Sequence, residues 1–539
     1  MGRGPESGSK PRYSIHELLP WSKRRQPSKE DAPSTTGIML RLSLWVSFAA
    51  WISNFDTGYA GIVLIMPSYK RAFGSCEQVL DPVTYAKIEH CTLTPLQESI
   101  VSLTFLFVAL GGGIAGGTGQ HCGRRGAIQI GCGLAIIGAA GMLGTTGSFI
   151  RYMVCRCIGA VGIGHLLAAG ATYGSECIVP SKRGLSLGLY NVGLAMGNVA
   201  SAAVCAGSAR LEPTNDWQWK TPILCQIPLG LILGAGIVML PESPRWLMGH
   251  GREEEARKAF GVLYSQSPDS AAVDAQVEEI RSHLAIERAG KKSVSILDIY
   301  RKKHIRRTVT SALIMAGMAV TGIQFVAPYA ALFLKNVGIS DPYLINCVIG
   351  LCILLGALFG PFVVEYGGRR MAILSGYSIM AICMLVLASV NTIVGASKSS
   401  QIAIVVLMCV WALVFGATIA PSANLSSVEM HSVSLRTFGQ ANTTVFYGIF
   451  SFAASFWTPY MLSANHGDMG ANVGYFYAGV TVVVTGLAFL LVPETAQLTL
   501  EQIDDLFNSG TKAWRTSVSK NKAATLPRKD NDSAGTISV

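Results

Sequence analysis

The amino-acid sequence predicts an all-α membrane protein with twelve transmembrane helices in two six-helix halves. Half of the 539 residues are hydrophobic and only 14% are charged. About twelve apolar runs are long enough, at 1.5 Å per helical residue, to cross a hydrocarbon core of roughly 30 Å. Three short sequence markers also occur twice along the chain. This composition and patterning are typical of a helical membrane protein and unlike those of a soluble enzyme.

The twelve predicted spans are separated in their middle by a polar segment of about 65 residues, which divides the chain into two sets of six. They cover residues 42–66, 98–118, 126–147, 151–172, 185–206, 221–241, 308–334, 341–364, 371–393, 401–424, 437–461 and 472–492.

Five segments follow from these runs. Residues 1–38 are rich in Pro, Ser, Lys and Arg and are predicted to be a disordered cytoplasmic tail. Residues 39–244 and 307–493 form the two six-helix bundles, and residues 494–539 form a cytoplasmic C-terminal tail. In the linker, residues 245–306, apolar residues recur at helical spacing among charges, which predicts short amphipathic helices under the cytoplasmic face. A disordered linker is the alternative.

The distribution of lysine and arginine predicts the orientation. If the N-terminus is cytoplasmic, the inner loops carry most of the basic residues, and the positive-inside rule then places both termini in the cytoplasm, most simply at the plasma membrane. The net charge of +11 and the pI near 9.0 reflect this bias, so no nucleic-acid partner is predicted. The basic residues of the inner loops are Arg124, Arg125, Lys182, Arg183, those of the linker, Arg369, Arg370 and Arg436.

The first apolar run, LSLWVSFAAWISNFDTGYAGIVLIM, contains one formal charge, Asp56. A carboxylate inside a bilayer helix costs several kcal/mol unless it is paired or neutralised, so such a residue is a functional hypothesis by default. We therefore predict a proton or ion site at Asp56 that lines a solvated path. The alternative is a soluble core helix that contains a buried acid.

The repeated markers indicate two homologous halves. A Gly-Arg-Arg turn occurs at 123–125 and 368–370, a Glu followed seven positions later by Arg at 176/183 and 429/436, and a Pro-Glu pair at 241–242 and 493–494. The second copies follow the first by 245, 253 and 252 residues. This pattern matches the parallel repeat of the major facilitator fold, whose binding site lies between the halves near the midplane.

All these markers fall at predicted cytoplasmic span ends. Acidic and basic side chains from different loops can pair there across the gap between helices, hold an inner gate shut, and separate when the halves rock. The alternative is that these residues only follow the positive-inside rule and form no gate. The predicted gate residues are Arg124, Arg125, Glu176, Arg183, Glu242, Glu365, Arg369, Arg370, Glu429, Arg436 and Glu494.

The motifs at these positions resemble the sugar porter family of the major facilitator superfamily. The resemblance rests on PESPRWL (241–247), PETAQLTLEQIDDLF (493–507), FDTGYAG (55–61), R-x-x-G-x-x-G-x-G (156–164) and YGSECIVPSKRG (173–184). SSVEMHSVSLR (426–436) and TPYML (458–462) resemble the fungal α-glucoside permease branch. The resemblance covers roughly residues 40–510. It implies a secondary transporter that works by alternating access.

The resemblance also implies a coupling pair. In proton-coupled members an acid of the first span pairs with an arginine of the fourth, and the matching positions are Asp56 and Arg156. Helix geometry independently allows both to lie at one depth in the membrane. The implied partners are therefore a small-molecule substrate, protons and the lipid bilayer.

Departures from the family pattern concern the substrate site. The seventh-span glutamine pair of the family aligns with Met318 and Ala319, and the tenth-span tryptophan aligns with Asn424. A buried sugar hydroxyl without a partner costs about 1–3 kcal/mol, so these losses favour a larger or less polar ligand than glucose, such as a glycoside. The candidate contacts are Asn191, Gln324, Tyr329, Asn424 and Tyr447, with helix packing as the alternative for each.

Three further functions stay open or are disfavoured. The changed site also fits a transporter of a non-sugar metabolite, including an exporter. A non-transporting nutrient sensor is disfavoured because the tail after Pro493 is unremarkable. No nucleophile–base set, metal-spaced Cys/His cluster or phosphate loop occurs, so neither an enzyme nor a cofactor is predicted.

Two of the thirteen cysteines, Cys76 and Cys91, lie in the polar segment after the first span. A disulfide between them is predicted if that segment is extracellular, and two unrelated thiols are the alternative.

Overall fold

The computed structural model describes residues 37–80, 87–178, 183–291, 296–338, 341–395, 397–432, 435–463, 465–498 and 500–525. The predicted disordered tail therefore lies outside the described residues, except for its last two residues, which already belong to the first helix.

Each of the twelve predicted spans corresponds to a long helix. We number the spans in chain order: Gly37–Val63, Pro95–His121, Gly123–Leu143, Phe149–Cys177, Arg183–Ser208, Trp217–Val238, Ile305–Val326, Pro342–Gly367, Arg369–Val394, Lys398–Ser427, Arg436–Leu462 and Gly470–Leu491.

Eleven helices of the described residues are long and apolar enough to cross a membrane. The eleventh span, Arg436–Leu462, does not reach the same apolarity, because serine, threonine, asparagine and glutamine residues interrupt it. It nevertheless packs against the second and seventh spans inside the bundle, which explains how a polar helix is accommodated there.

The seventh and tenth spans are irregular. The seventh consists of Ile305–Met318, a π-helical turn at Ala319–Ile323 and Gln324–Val326, and it continues after a break as Ala330–Asn336. The tenth has a π-helical turn at Phe415–Ile419. Such turns interrupt the regular hydrogen-bond ladder and occur mostly at functional sites.

Within the first half, the first span packs against the fourth, fifth and sixth spans, and the third packs against the fourth. The two halves meet where the second span contacts the eleventh and the fifth contacts the eighth. One hydrophobic core includes residues of both halves, such as Phe55, Tyr59, Phe325 and Tyr477. A second core lies entirely in the first half and the linker.

The linker is helical, as its sequence predicts. Its elements are Pro244–Gly249, Glu253–Tyr264, Ala271–Lys291 and a 3-10 turn at Ile296–Tyr300. The apolar side chains of Phe260, Leu263 and Val277 join the core of the first half. The face of the bundle that carries these helices and the Gly-Arg-Arg turns is called the basic face below.

The opposite face carries a small hairpin and is called the hairpin face. A helix at Pro67–Phe73 is followed by antiparallel strands β1, Ser75–Leu80, and β2, Lys87–Thr92. Cys76 lies opposite Cys91 in this pair, and the two form a disulfide. The second span then begins with a capping box, in which Thr94 accepts a hydrogen bond from the Gln97 backbone N–H.

The chain after the twelfth span folds back onto the second half. This C-terminal segment, residues 500–525, contains Leu500–Asn508, Ala513–Arg515 and Val518–Thr525. Arg307 forms an ion pair with Asp504 and lies 4.9 Å from the centroid of the Phe507 ring. Asn521 donates hydrogen bonds to the backbone oxygens of Glu494 and Ala496. A part of the predicted tail is therefore a docked element.

Candidate transport site

Asp56 lies in the middle of the bundle. Its side chain is buried, and its residue is only 6% exposed. Arg156, on the fourth span, is 2% exposed and places Nη1 3.6 Å from Asp56 Oδ1. The structure therefore brings together the two residues that the sequence pairs, in a region where unpaired charges would be costly.

A third residue, Tyr59, lies between the two charges. Arg156 Nη1 donates a hydrogen bond of 2.5 Å to the Tyr59 hydroxyl, which donates one of 3.3 Å to Asp56 Oδ1. Arg156 Nη2 also donates to the backbone oxygen of Asp56 at 3.3 Å. The pair predicted from the sequence is thus a cluster of three side chains. Because residues three apart share a helix face, the spacing of Asp56 and Tyr59 in FDTGYAG could have indicated it.

A cavity of about 20 Å³ adjoins Arg156 between the two halves. This volume holds roughly one water molecule. Its lining includes Gly61, Ser102, Tyr329 and Ser455, which come from the first, second, seventh and eleventh spans. The described conformation is therefore closed around this point.

The seventh span closes the cavity toward the hairpin face. The Tyr329 hydroxyl donates to the backbone oxygen of Glu98 at 3.3 Å, and Lys335 Nζ donates to that of Ile65 at 3.3 Å. Gly61 allows the closest approach, because a Cβ at this position would collide with the backbone of Pro328. These contacts join the two halves next to Asp56.

The predicted substrate contacts do not all meet. Gln324 is buried, and its Oε1 accepts a 3.4 Å hydrogen bond from Ser455, while the Tyr447 hydroxyl lies close to Gln324. Asn424 instead donates to Ala420 of its own helix at 3.1 Å. Asn191 is half-buried on the fifth span. Ser455, which the sequence analysis did not single out, joins Gln324 and Tyr329 in this region.

The predicted gate residues form two clusters at the basic face. In the first half, Arg124 donates two hydrogen bonds to Glu176, from Nε at 2.9 Å and from Nη2 at 2.8 Å. The Glu242 carboxylate accepts from the backbone N–H groups of Arg124 and Arg125 at 2.9 and 3.3 Å. The cluster therefore ties the ends of the second, third, fourth and sixth spans together.

The second half repeats this arrangement. Glu494 accepts from the backbone N–H groups of Arg369 and Arg370 at 3.0 and 3.1 Å, and Arg369 Nη2 donates to Glu429 at 3.4 Å. Arg369 also forms a 3.7 Å ion pair with Glu365. Gly123 and Gly368, at equivalent positions, have φ angles of +80° and +89°. The two halves therefore share the sequence motif and also the same hydrogen bonds between its residues.

These pairs differ in one respect from the predicted gate. Each of the ion pairs described at this face joins helices of the same half, because each half carries its own copy of the motif. The side chains of Arg183 and Arg436 lie outside the described residues. Burial raises the pKa of Glu429, and the charge of Arg369 opposes this shift.

A family model described as "Sugar (and other) transporter" matches residues 42–507. The high-affinity glucose transporter ght2 of Schizosaccharomyces pombe is 28% identical over 482 residues, which are 88% of each chain. Hexose transporter 2 of Kluyveromyces lactis is 26% identical over 487 residues, 88% of this chain and 84% of its relative.

Solved structures show the same fold. The proton:xylose symporter XylE, bound to 6-bromo-6-deoxy-D-glucose, superimposes with a TM-score of 0.70 at 21% identity, covering 88% of this chain and 100% of the other. A partially occluded inward-open form of XylE from E. coli gives a TM-score of 0.69 at 19% identity, covering 85% and 99%. These matches confirm the predicted twelve-helix major facilitator fold. The chain belongs to the sugar (and other) transporter family and is a multi-pass membrane transporter, not an enzyme.

Proposed function

We propose that this protein is a proton-coupled secondary transporter that moves a sugar or glycoside across the plasma membrane by alternating access. The observation that carries the proposal is the buried cluster of Asp56 and Arg156 beside a cavity between the two halves. The names of the relatives, a glucose transporter and a hexose transporter, support a sugar as substrate. The proton:xylose symporter among the structural neighbours supports coupling to protons.

The coupling step is the gain or loss of a proton at Asp56. When Asp56 is charged, its attraction to Arg156 at 3.6 Å favours one arrangement of the first and fourth spans. When Asp56 is protonated, this attraction disappears, and the relative free energies of the outward-open and inward-open states change. A proton gradient can then drive the substrate cycle in one direction.

Substrate binds between the halves, next to this cluster. Gln324 and Tyr447 provide polar groups from the seventh and eleventh spans, and Tyr329 closes the path above them. Asn191 and Asn424 complete the proposed contacts. Asn424 is half-buried and makes its described hydrogen bond within its own helix, so a larger substrate can recruit its amide by rotation of the side chain.

The two clusters at the basic face serve as the proposed cytoplasmic gate. They hold the span ends of each half together as a rigid unit, so that each half rocks as one body. Arg183 and Arg436, at the first positions of the fifth and eleventh spans, are included in the proposed gate on their sequence positions alone. In this proposal the basic face is cytoplasmic, and both chain termini lie on the cytoplasmic side of the membrane.

A transporter of a non-sugar metabolite is the second candidate. The observation that favours it is the apolar character of Met318 and Ala319, at the start of the π-helical turn in the seventh span. Fewer hydrogen-bonding groups at this turn leave fewer partners for the hydroxyl groups of a hexose.

The experiment that tests the proposal uses the purified protein in liposomes with a trapped pH indicator. Glucose, maltose and an aryl glucoside are added outside, each radiolabelled, with and without an inward proton gradient. The proposal expects one of them to accumulate above its external concentration only with the gradient, and its addition without a gradient to acidify the lumen. Uptake without acidification would indicate a facilitator, which moves its substrate without protons. No uptake of any of the three would favour the metabolite transporter.

A further inference from the structure

The hydroxyl group of Tyr59 is completely buried. An ion pair between Asp56 and Arg156 could form without it. Its residue is 0% exposed, and its ring lies among the apolar residues of the shared core. The guanidinium carbon of Arg156 lies 5.0 Å from the centroid of this ring, so the arginine contacts Tyr59 through both its face and its hydroxyl.

The distances show that Tyr59 is the closer partner of Arg156. A direct ion pair between a guanidinium and a carboxylate has N···O distances of about 2.7–2.9 Å. The distance from Arg156 Nη1 to Asp56 Oδ1 is 3.6 Å, whereas that to the Tyr59 oxygen is 2.5 Å. The hydroxyl therefore occupies the place that a direct carboxylate contact would take.

We propose that Tyr59 is a positioning residue of the coupling site, which holds Arg156 in place while Asp56 gains and releases its proton. This inference rests on the proposed proton-coupled function. It adds a residue that neither the sequence comparison nor the simple acid–base pair assigns.

Arg156 needs other partners when Asp56 is neutral. A buried guanidinium that loses its partner is strongly destabilising. Three contacts of Arg156 do not depend on the charge of Asp56: the Tyr59 hydroxyl, the Tyr59 ring and the backbone oxygen of Asp56. With these contacts Arg156 Nη1 and Nη2 keep hydrogen-bond partners, so protonation of Asp56 breaks one 3.6 Å ion pair and not a direct, bidentate pair.

The surroundings of Tyr59 contain few other titratable groups among the described residues. Asp56 lies on the same helix, and Arg156 and Tyr152 lie on the fourth span. Tyr69, on the short helix of the hairpin face, packs against Tyr152 with ring centroids 5.7 Å apart. From the sixth span the uncharged Gln226 approaches. The seventh span brings Tyr329, whose hydroxyl donates to the backbone oxygen of Glu98, to the cavity beside Arg156, and it brings Lys335 only to the backbone of Ile65. A change in pH dependence after substitution of Tyr59 would therefore report on Asp56 and Arg156.

The test is the variant Tyr59→Phe in proteoliposomes, with Tyr69→Phe as the matched control. Both lose one buried tyrosine hydroxyl from the same region, but the Tyr69 hydroxyl approaches that of Tyr152 and makes no hydrogen bond to Asp56 or Arg156. Without the Tyr59 hydroxyl, Arg156 can close directly on Asp56, and protonation must then break a stronger ion pair.

For Tyr59→Phe we expect the pH of half-maximal proton-driven uptake to move toward acid by about one unit, which corresponds to a tenfold change in the protonation equilibrium. Exchange of labelled for unlabelled substrate, which needs no net proton movement, continues. Tyr69→Phe keeps the wild-type pH profile.

An unchanged pH profile in Tyr59→Phe would overturn the inference. Loss of exchange in Tyr59→Phe with normal exchange in Tyr69→Phe would also overturn it, since the hydroxyl would then be needed for the fold itself. In an Asp56→Asn background, which is expected to lack proton-driven accumulation, Tyr59→Phe should leave the pH dependence of substrate exchange unchanged. If Asp56→Asn alone keeps full proton-driven accumulation, the proposed coupling function fails, whatever Tyr59→Phe does.

Discussion

Replacement of Gly368 by alanine probes the cluster at the basic face of the second half. Gly368 has φ +89° and ψ 156°, a backbone region that is essentially restricted to glycine. A Cβ at this position would lie 2.5 Å from Glu494 Oε2 and 2.5 Å from Val518 Cγ2. The alanine variant must therefore change its backbone conformation or displace Glu494.

The cost follows from these two effects. A residue held in such a backbone region costs about 1–3 kcal/mol. Displacement of Glu494 weakens its hydrogen bonds from the backbone N–H groups of Arg369 and Arg370, and a hydrogen bond to a charged group contributes about 1.5–3 kcal/mol. Strain and the loss of one such bond together destabilise the protein by about 2.5–6 kcal/mol. This is a large share of the 5–15 kcal/mol that is typical of a folded protein.

The assay is thermal unfolding of the detergent-solubilised protein, followed by tryptophan fluorescence. The neighbouring variant Gly367→Ala is the control, because Gly367 is helical and a Cβ there meets nothing within 4 Å. Gly368→Ala should lower Tm by about 2–5 °C, whereas Gly367→Ala should leave it unchanged or raise it. If the two variants unfold within about 0.5 kcal/mol of each other, the structural argument is wrong.

Three other predictions concern elements outside the membrane. Arg307→Ala removes the ion pair and ring contact of the C-terminal segment, so hydrogen exchange in that segment should accelerate by about tenfold or more, without a matching change in the first half. Cys76→Ser, Cys91→Ser and the double variant should increase proteolysis of the hairpin equally, because each removes the same disulfide; additive effects would contradict this. Hydrogen bonding to Arg281 lowers the pKa of Glu253 below its ordinary value of 4.5. The folded linker thus binds this proton more weakly than the unfolded chain, so its stabilisation is present above pH 4.5 and is lost as the pH falls through the lowered pKa. Arg281→Gln should reduce this part of the pH dependence of linker hydrogen exchange, and the remainder comes from Arg257.

The fold was predictable because it depends on features that a sequence carries directly. The lengths of the apolar runs determine the spans, and the repeated Gly-Arg-Arg and Pro-Glu markers reveal the two halves. The eleventh span falls short of the apolarity of the other spans, and yet its apolar run at 437–461 was long enough to identify it. The seventh span breaks next to Pro328, a residue that interrupts helices, but the close packing of this break against Gly61 is a tertiary contact that no local pattern encodes.

The candidate site was predictable only in part. Asp56 was found because a charge is conspicuous in an apolar run, and Arg156 was found through the resemblance to the family. Tyr59 was not singled out, since a tyrosine in an apolar run is ordinary. Its spacing from Asp56 indicates a shared helix face, but only the structure shows its hydroxyl 2.5 Å from Arg156. Similarly, a motif shows that arginines and glutamates will pair, but whether they pair within or between halves depends on how the helix ends are arranged.

In the proposed function, the charge on Asp56 couples proton movement to transport. The most direct measurement compares wild-type and Asp56→Asn protein in the same proteoliposomes, once with an inward proton gradient and once with unlabelled substrate on both sides. The proposed function predicts that Asp56→Asn exchanges substrate but accumulates none above the external concentration when the gradient is applied. Accumulation by Asp56→Asn to the wild-type level would contradict it.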